Sequence, residues 1–276
     1  MNKIAVVGEC MVELNLLKED VYKQAFSGDS LNCSLHLKSI LNEAEVEYIT
    51  VLGEDQLSKK MLDFLYEQNI QTNYINILKN KNPIMYINNE NSSPTYFSSD
   101  LQKRDIFESN TSESVMNKLL DFDLIYFSAN SVAMMSKNGR VSFFKIIKKL
   151  RAYGVKIVFD SIYLPIVHES SDDARKLYET SIHYADILLT SLWDEKKLWG
   201  DIESKHITQK AQLANCNEVI IKCENEEIAY SFERKLKKIK IKELNDKSIF
   251  NGAYLAMRLK NNSIKESIIN ATNFNM

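Results

Sequence analysis

The polar side chains that could do chemistry sit at the ends of apolar runs. Lys3–Val7 leads into Gly8 and Glu9, Val155–Phe159 into Asp160 and Ser161, and Ile187–Leu189 into Thr190 and Ser191. Lys222 closes the run that starts at Glu218. One more carboxylate, Asp246, precedes the helical pattern Ser248–Leu259. A carboxylate there can take a proton from a substrate hydroxyl, or it can cap the helix by accepting from its first N–H groups. Ser248 has a hydroxyl that is too weak a base to do the first job unaided. Nothing points to metal chemistry. Cys10, Cys33, Cys216 and Cys223 include no CxxC pair, and His36, His168, His183 and His206 lack ligand spacing. Reduced, buried thiols in a cytoplasmic protein are the expectation.

These residues need elements to position them. Lys3–Val7, Val46–Leu52, Leu124–Ser128, Val155–Asp160, Ile187–Thr190 and Glu218–Lys222 read as buried strands. Helical spacing occurs over Leu31–Leu41, Leu57–Gln68, Glu113–Leu120, Gly139–Ala152, Asp173–Tyr184, Asp194–Trp199, Ser248–Leu259 and Ile264–Asn273. Such alternation predicts an α/β fold with a doubly wound parallel sheet. Ligands of such sheets lie beyond the carboxyl ends of the strands, where the polar residues above fall. Tyr74–Leu78, Ile84–Asn88 and Thr95–Ser98 read as short strands without helices between them, which predicts a small β appendage. Ile228–Phe232 and Leu236–Ile241 complete the strands, and the lysine-rich Lys235–Lys242 is expected to present one solvated face.

Composition narrows the function classes. With 276 residues and 45% hydrophobic content, one large domain is expected. The net charge of −2 gives no electrostatic case for nucleic acid or a membrane surface. No apolar run is long enough to span a bilayer, and Met1–Val7 is too short for a signal peptide. Only seven glycines are present, few for an enzyme that cradles phosphates with bare backbone.

Taken as an ordered set, Ile4–Leu14 (IAVVGECMVEL), Phe26–Asn32 (FSGDSLN), Val51–Asp55 (VLGED), Val155–Pro165, Asp186–Gly200 and Phe250–Leu259 resemble the PfkB, or ribokinase-like, carbohydrate kinases, most of all their 2-keto-3-deoxygluconate kinase branch. The resemblance covers nearly the whole chain. It implies a single ribokinase-like domain over 1–276 with a β lid from about 10–25 and 74–100, and a C-terminus shorter than the family's. It also implies ATP and Mg as cofactors if the protein is active, a sugar or sugar acid as ligand, and pairing of two lids in a homodimer.

The resemblance assigns roles residue by residue. Gly28, Asp29 and Asn32 match the segment that contacts sugar hydroxyls, and Tyr86 matches a lid tyrosine. Lys222, Glu195 and Asn251 match the nucleotide side, with a solvated helix acid as the alternative for Glu195. The family's anion-hole motif, GAGD, falls on Asn245-Asp246-Lys247-Ser248, so Ser248 holds the aspartate position and Asn245 and Lys247 the glycine positions. The arginines that grip an acid sugar fall on Asp100 and Leu164. Arg104 is the nearby substitute, expected as a solvated loop charge. Both glycines after Lys222 are replaced in Ile220–Glu227 (IIKCENEE). The expected function is therefore a sugar-kinase homologue with a degenerate site and weak or no phosphotransfer. The alternative is an active ATP-dependent carbohydrate kinase of altered specificity that uses Asp246 as base.

Overall fold

The structure, a computed structural model, describes all of the chain except residues 20, 80, 89–93, 98–103, 108–111, 242–246 and 275–276. The chain begins β1 (Lys3–Val7), β2 (Met11–Lys18), β3 (Val21–Ser27), α1 (Asp29–Ile40), β4 (Glu45–Ile49), β5 (Val51–Leu52), α2 (Gln56–Glu67), β6 (Asn76–Ile77), β7 (Ile84–Asn88) and β8 (Thr95–Phe97). It continues α3 (Ser112–Leu119), β9 (Leu124–Ser128), α4 (Ala129–Ala133), α5 (Lys137–Ala152), β10 (Lys156–Asp160), α6 (Ser171–Tyr184), β11 (Ile187–Ser191), α7 (Leu192–Trp199) and α8 (Ser204–Leu213). It closes with β12 (Glu218–Lys222), β13 (Glu227–Phe232), β14 (Lys235–Lys240), α9 (Lys247–Leu259) and α10 (Ile264–Thr272).

The main sheet has the order β14-β13-β12-β11-β10-β9-β1-β4. Its strands from β4 to β12 are parallel and read as continuous apolar runs because helices cover both faces. One core lies between the sheet and α3–α8, around Phe127, Phe143 and Phe159. The other lies under α1, α2, α9 and α10, around Tyr48, Phe250 and Tyr254. The parallel register brings Asp160 opposite Ser128, and Ser191 opposite Lys222. The polar strand ends thus form one row.

Three readings are corrected by this architecture. The expected strand Val46–Leu52 is two strands. β1 leaves its ladder at Gly8, whose N–H still reaches the Ile49 carbonyl at 3.1 Å. β5 therefore loses that partner and pairs with β6 instead. For the same reason Tyr74–Leu78 contributes only Asn76–Ile77, in that two-stranded sheet and not in the appendage. The appendage is a four-stranded sheet, β3-β2-β7-β8. Finally, β14 has no single solvated face. Leu236 packs toward one core and Ile239 toward the other, so its lysines flank both faces of a sheet edge.

Candidate active site

A cleft of ≈ 420 Å³ lies between the carboxyl ends of the parallel strands and the four-stranded sheet. Glu9 lines its floor, Asp29 and Tyr96 the side of the small sheet, and Trp193, Asp194 and Lys247 the far wall. Each is placed by a local device. Glu9 follows Gly8 at the end of β1. Its backbone carbonyl accepts from Tyr48 Oη at 2.6 Å, and its Oε2 accepts from Ser131 Oγ at 2.8 Å. Burial raises the Glu9 pKa, and the Ser131 and Ser128 hydroxyls partly offset that by donating to the carboxylate.

Gly28 is the residue on which α1 enters the site. Its φ of 141° is open to glycine, and a Cβ there would stand 2.6 Å from the Glu9 carbonyl oxygen. Asp29, the first helical residue, lines the cleft. Asn32 is half-buried one turn later, its N–H bonded to the Gly28 carbonyl at 2.8 Å. Tyr86 stands one row behind the cleft wall, its ring 5.5 Å from that of Tyr96. Burial raises the Tyr86 pKa, with a Ser27 hydrogen bond opposing it.

The far wall carries a cation. Lys247 opens α9, and its Nζ lies 3.0 Å from Asp194 Oδ2 and 3.2 Å from Ser191 Oγ. Ser191 caps α7 through the Asp194 N–H at 3.1 Å and also donates to the Asp194 carboxylate. The Trp193 ring lies against two ammonium groups, Lys197 at 4.4 Å and Lys247 at 5.1 Å. Ser248 is buried in the first turn of α9. Asp246, Asn245 and Asp100 lie outside the described residues.

Behind this wall runs a buried polar chain. Lys222 Nζ donates to Asn251 Oδ1 at 2.8 Å, and Asn251 Nδ2 donates to Asp160 Oδ2 at 2.8 Å. Tyr126 Oη donates to the same carboxylate oxygen at 2.6 Å. Burial lowers the Lys222 pKa and raises that of Asp160, and each charge opposes the shift in the other. One helix and three strands are thereby cross-linked: α9, β9, β10 and β12. Glu195 is buried too, accepting from Thr190 Oγ1 at 2.8 Å and Ser161 Oγ at 3.2 Å. The solvated reading of Glu195 is corrected, because α7 turns that carboxylate onto the strand ends. Burial raises its pKa, against the Thr190, Tyr178 and Ser161 hydroxyls.

Arg104 is likewise no solvated charge. It is buried, with Nη1 3.4 Å from the Val51 carbonyl oxygen and Nη2 2.5 Å from that of Asn82. Leu164 lines the cleft as an apolar side chain. The turn after Lys222 is made without glycine, with Asn225 and Glu226 at φ 58° and 55°. Its acids face surface lysines: Glu224 lies 3.4 Å from Lys196 and Glu227 2.7 Å from Lys238.

Sequence reasoning pointed to Gly28, Asp29 and the strand ends. It passed over Asn130, Tyr96, Trp193 and Asp194 as cleft residues. Asn130 follows β9 and accepts from the Leu164 N–H at 3.1 Å, a link that only the fold creates. Trp193 carried a signal: a large aromatic exposed at the start of a helix.

Comparison with known proteins bears on this geometry. The family model "pfkB family carbohydrate kinase" matches residues 1–274. The 2-dehydro-3-deoxygluconokinase of Escherichia coli (strain K12) is 31% identical over 226 residues, 80% of this chain and 73% of the relative. Among solved structures, a PfkB protein from Polaromonas sp. JS666 superposes with a TM-score of 0.84 at 14% identity, over 98% of this chain and 93% of the other. A putative ribokinase II from E. coli in complex with ATP and Mg superposes with a TM-score of 0.81 at 15% identity, over 99% and 91%.

Proposed function

The chain belongs to the pfkB family of carbohydrate kinases, and on that premise we propose that its cleft binds a neutral sugar or related polyol while transferring phosphoryl groups weakly or not at all. One observation carries the reading. At the start of α9 the position that the resemblance assigns to the base is the buried Ser248, and the residue before it is a lysine ion-paired to Asp194. A serine supplies no base for the sugar hydroxyl. An ammonium already matched by a carboxylate at 3.0 Å does little to stabilise a transferring phosphoryl group.

The residues on the nucleotide side do not fit Mg·ATP in this arrangement. The Lys222 ammonium is directed inward to Asn251, and the Glu195 carboxylate to Thr190 and Ser161.

The neutral ligand follows from charge. Leu164 stands where an acid sugar would need a guanidinium, Arg104 is held by backbone carbonyls, and Glu9 and Asp29 line the cleft. Among the described residues lining the cleft there is no guanidinium to pair with a sugar carboxylate, and Lys247 is already matched by Asp194. Hydroxyl groups suit the site, because they donate to carboxylates.

We further propose a cytoplasmic homodimer formed through the four-stranded sheet. Its outer strand β3 leaves Val21 and Tyr22 40% and 44% exposed, and Leu17 on β2 is 64% exposed. Apolar side chains grouped on one sheet mark an interaction surface. Among the described residues no helix is long and apolar enough to cross a membrane.

Calorimetric titration tests the ligand reading. D-fructose or D-ribose is expected to bind, D-gluconate and Mg·ATP at least about tenfold more weakly, a gap of ~1.4 kcal/mol. Preference for the acid sugar would overturn it.

A further inference from the structure

A second depression of ≈ 420 Å³ lies at the opposite end of α9 from the cleft. β13 lends it Tyr230 and Phe232, β14 lends Lys235 and Lys237, and the first turn of α10 lends Lys265. In the antiparallel register Lys235 stands opposite Phe232 and Lys237 opposite Tyr230. Directly opposed residues share a sheet face, so these four side chains project together toward α9 and α10. Phe232 is 43% exposed, an open ring at the centre of the hairpin end.

The charges there are unbalanced. Arg258, on the floor, is matched by Glu218, with Nη2 2.8 Å from Oε2 and Nε 3.1 Å from Oε1. The three lysines have no such match. Among the described residues, no acid forms an ion pair with Lys235, Lys237 or Lys265. Lys238, on the other face of β14, is by contrast paired with Glu227. Among the described residues, Glu233 is the single carboxylate lining the depression. A concentrated positive field thus occurs in a chain whose net charge is −2.

Lysines on an open sheet edge deter unwanted strand pairing. That accounts for Lys235 and Lys237. It does not account for Lys265, which arrives from a helix, or for the exposed Phe232 ring and the buried Tyr230 that line the same depression. We propose that this depression binds an organic phosphate: Lys235, Lys237 and Lys265 hold the phosphate, and its apolar or aromatic portion packs on Phe232 and Tyr230. Lysine suits the first role as a flexible point charge, and an exposed aromatic face suits the second. The site is separate from the cleft and does not depend on the reading given for it.

The test is titration of the full chain, in phosphate-free buffer, with phenyl phosphate and with inorganic phosphate. The parent protein is expected to bind phenyl phosphate more tightly than inorganic phosphate, and more weakly as sodium chloride is raised. Lys235→Gln/Lys237→Gln/Lys265→Gln is expected to weaken phenyl phosphate binding by about tenfold or more, with the unliganded melting temperature unchanged because these side chains are exposed. Lys265→Glu alone gives a second reading and should weaken it as well. Phe232→Ala should remove the advantage of phenyl phosphate over inorganic phosphate. Absence of binding by the parent protein, or unaltered affinity in both lysine variants, would overturn the proposal.

Discussion

The residues of the site divide into those that hold the fold and those that face the cleft. Lys222, Asn251, Asp160 and Tyr126 form a closed chain of donors and acceptors, and the asparagine is its hinge. Replacing Asn251 by leucine keeps the branched skeleton of the side chain but leaves a buried ammonium without its acceptor and a buried carboxylate with one donor fewer. Breaking a buried charged network in this way costs about 3–5 kcal/mol. Urea unfolding of Asn251→Leu should show a loss of that size, whereas an unchanged midpoint would mean that the chain is not needed for stability. The sequence showed that these residue types lie at strand ends and in the α9 motif. It did not show that they face one another, because the contact joins positions 91 apart in the chain. The solvated alternative for Glu195 and the solvated reading of Arg104 fail for a related reason. Charged residues are usually solvated, and only the packed structure reveals the hydroxyls and carbonyls that let these two be buried.

At the scale of elements, long periodic segments were legible and short ones were not. α5, α6 and α9 and the apolar strands β1, β9, β10 and β12 follow from their patterns to within a residue or two. α8 was missed because polar residues dominate its ten positions, and only Ile207, Thr208, Ala211 and Ser204 are buried. The four-stranded sheet was legible as a region, whereas the departure of β5 from the main sheet depends on where β1 ends. The packing of α9 on α1 gives a sharp test of how closely the site's main helix is held. A Cβ on Gly252 would stand 2.5 Å from the Cys33 carbonyl oxygen and 3.0 Å from His36 Cβ. Alanine is the better helix former by about 1 kcal/mol, but overpacking costs typically 1–3 kcal/mol and the obstacle here is backbone. Gly252→Ala should therefore lower the melting temperature, and a stabilised variant would show that the two helices are more loosely packed than described.

For the whole molecule, the fold is that of a sugar kinase, and the main question is what its cleft still does. If the four-stranded sheet pairs with that of a second subunit, the exposed Leu17, Val21 and Tyr22 are covered, and light scattering at micromolar concentration should report twice the 31.9 kDa chain mass. A monomer there would sink the dimer. The fold was readable because its specifying residues recur in order along the chain. Activity was less readable, because it turns on a few positions at the start of α9. In the proposed reading Ser248 and Lys247 stand where phosphoryl transfer needs other groups, and loss of a general base alone would remove a factor of about 10²–10⁴. The most direct test is phosphoryl transfer from Mg·ATP to a panel of neutral and acidic sugars, measured as sugar phosphate formed, for the parent protein and Asp246→Ala. The account predicts formation at or near the enzyme-free rate in both. Rapid turnover of any sugar by the parent protein, abolished by Asp246→Ala, would contradict it.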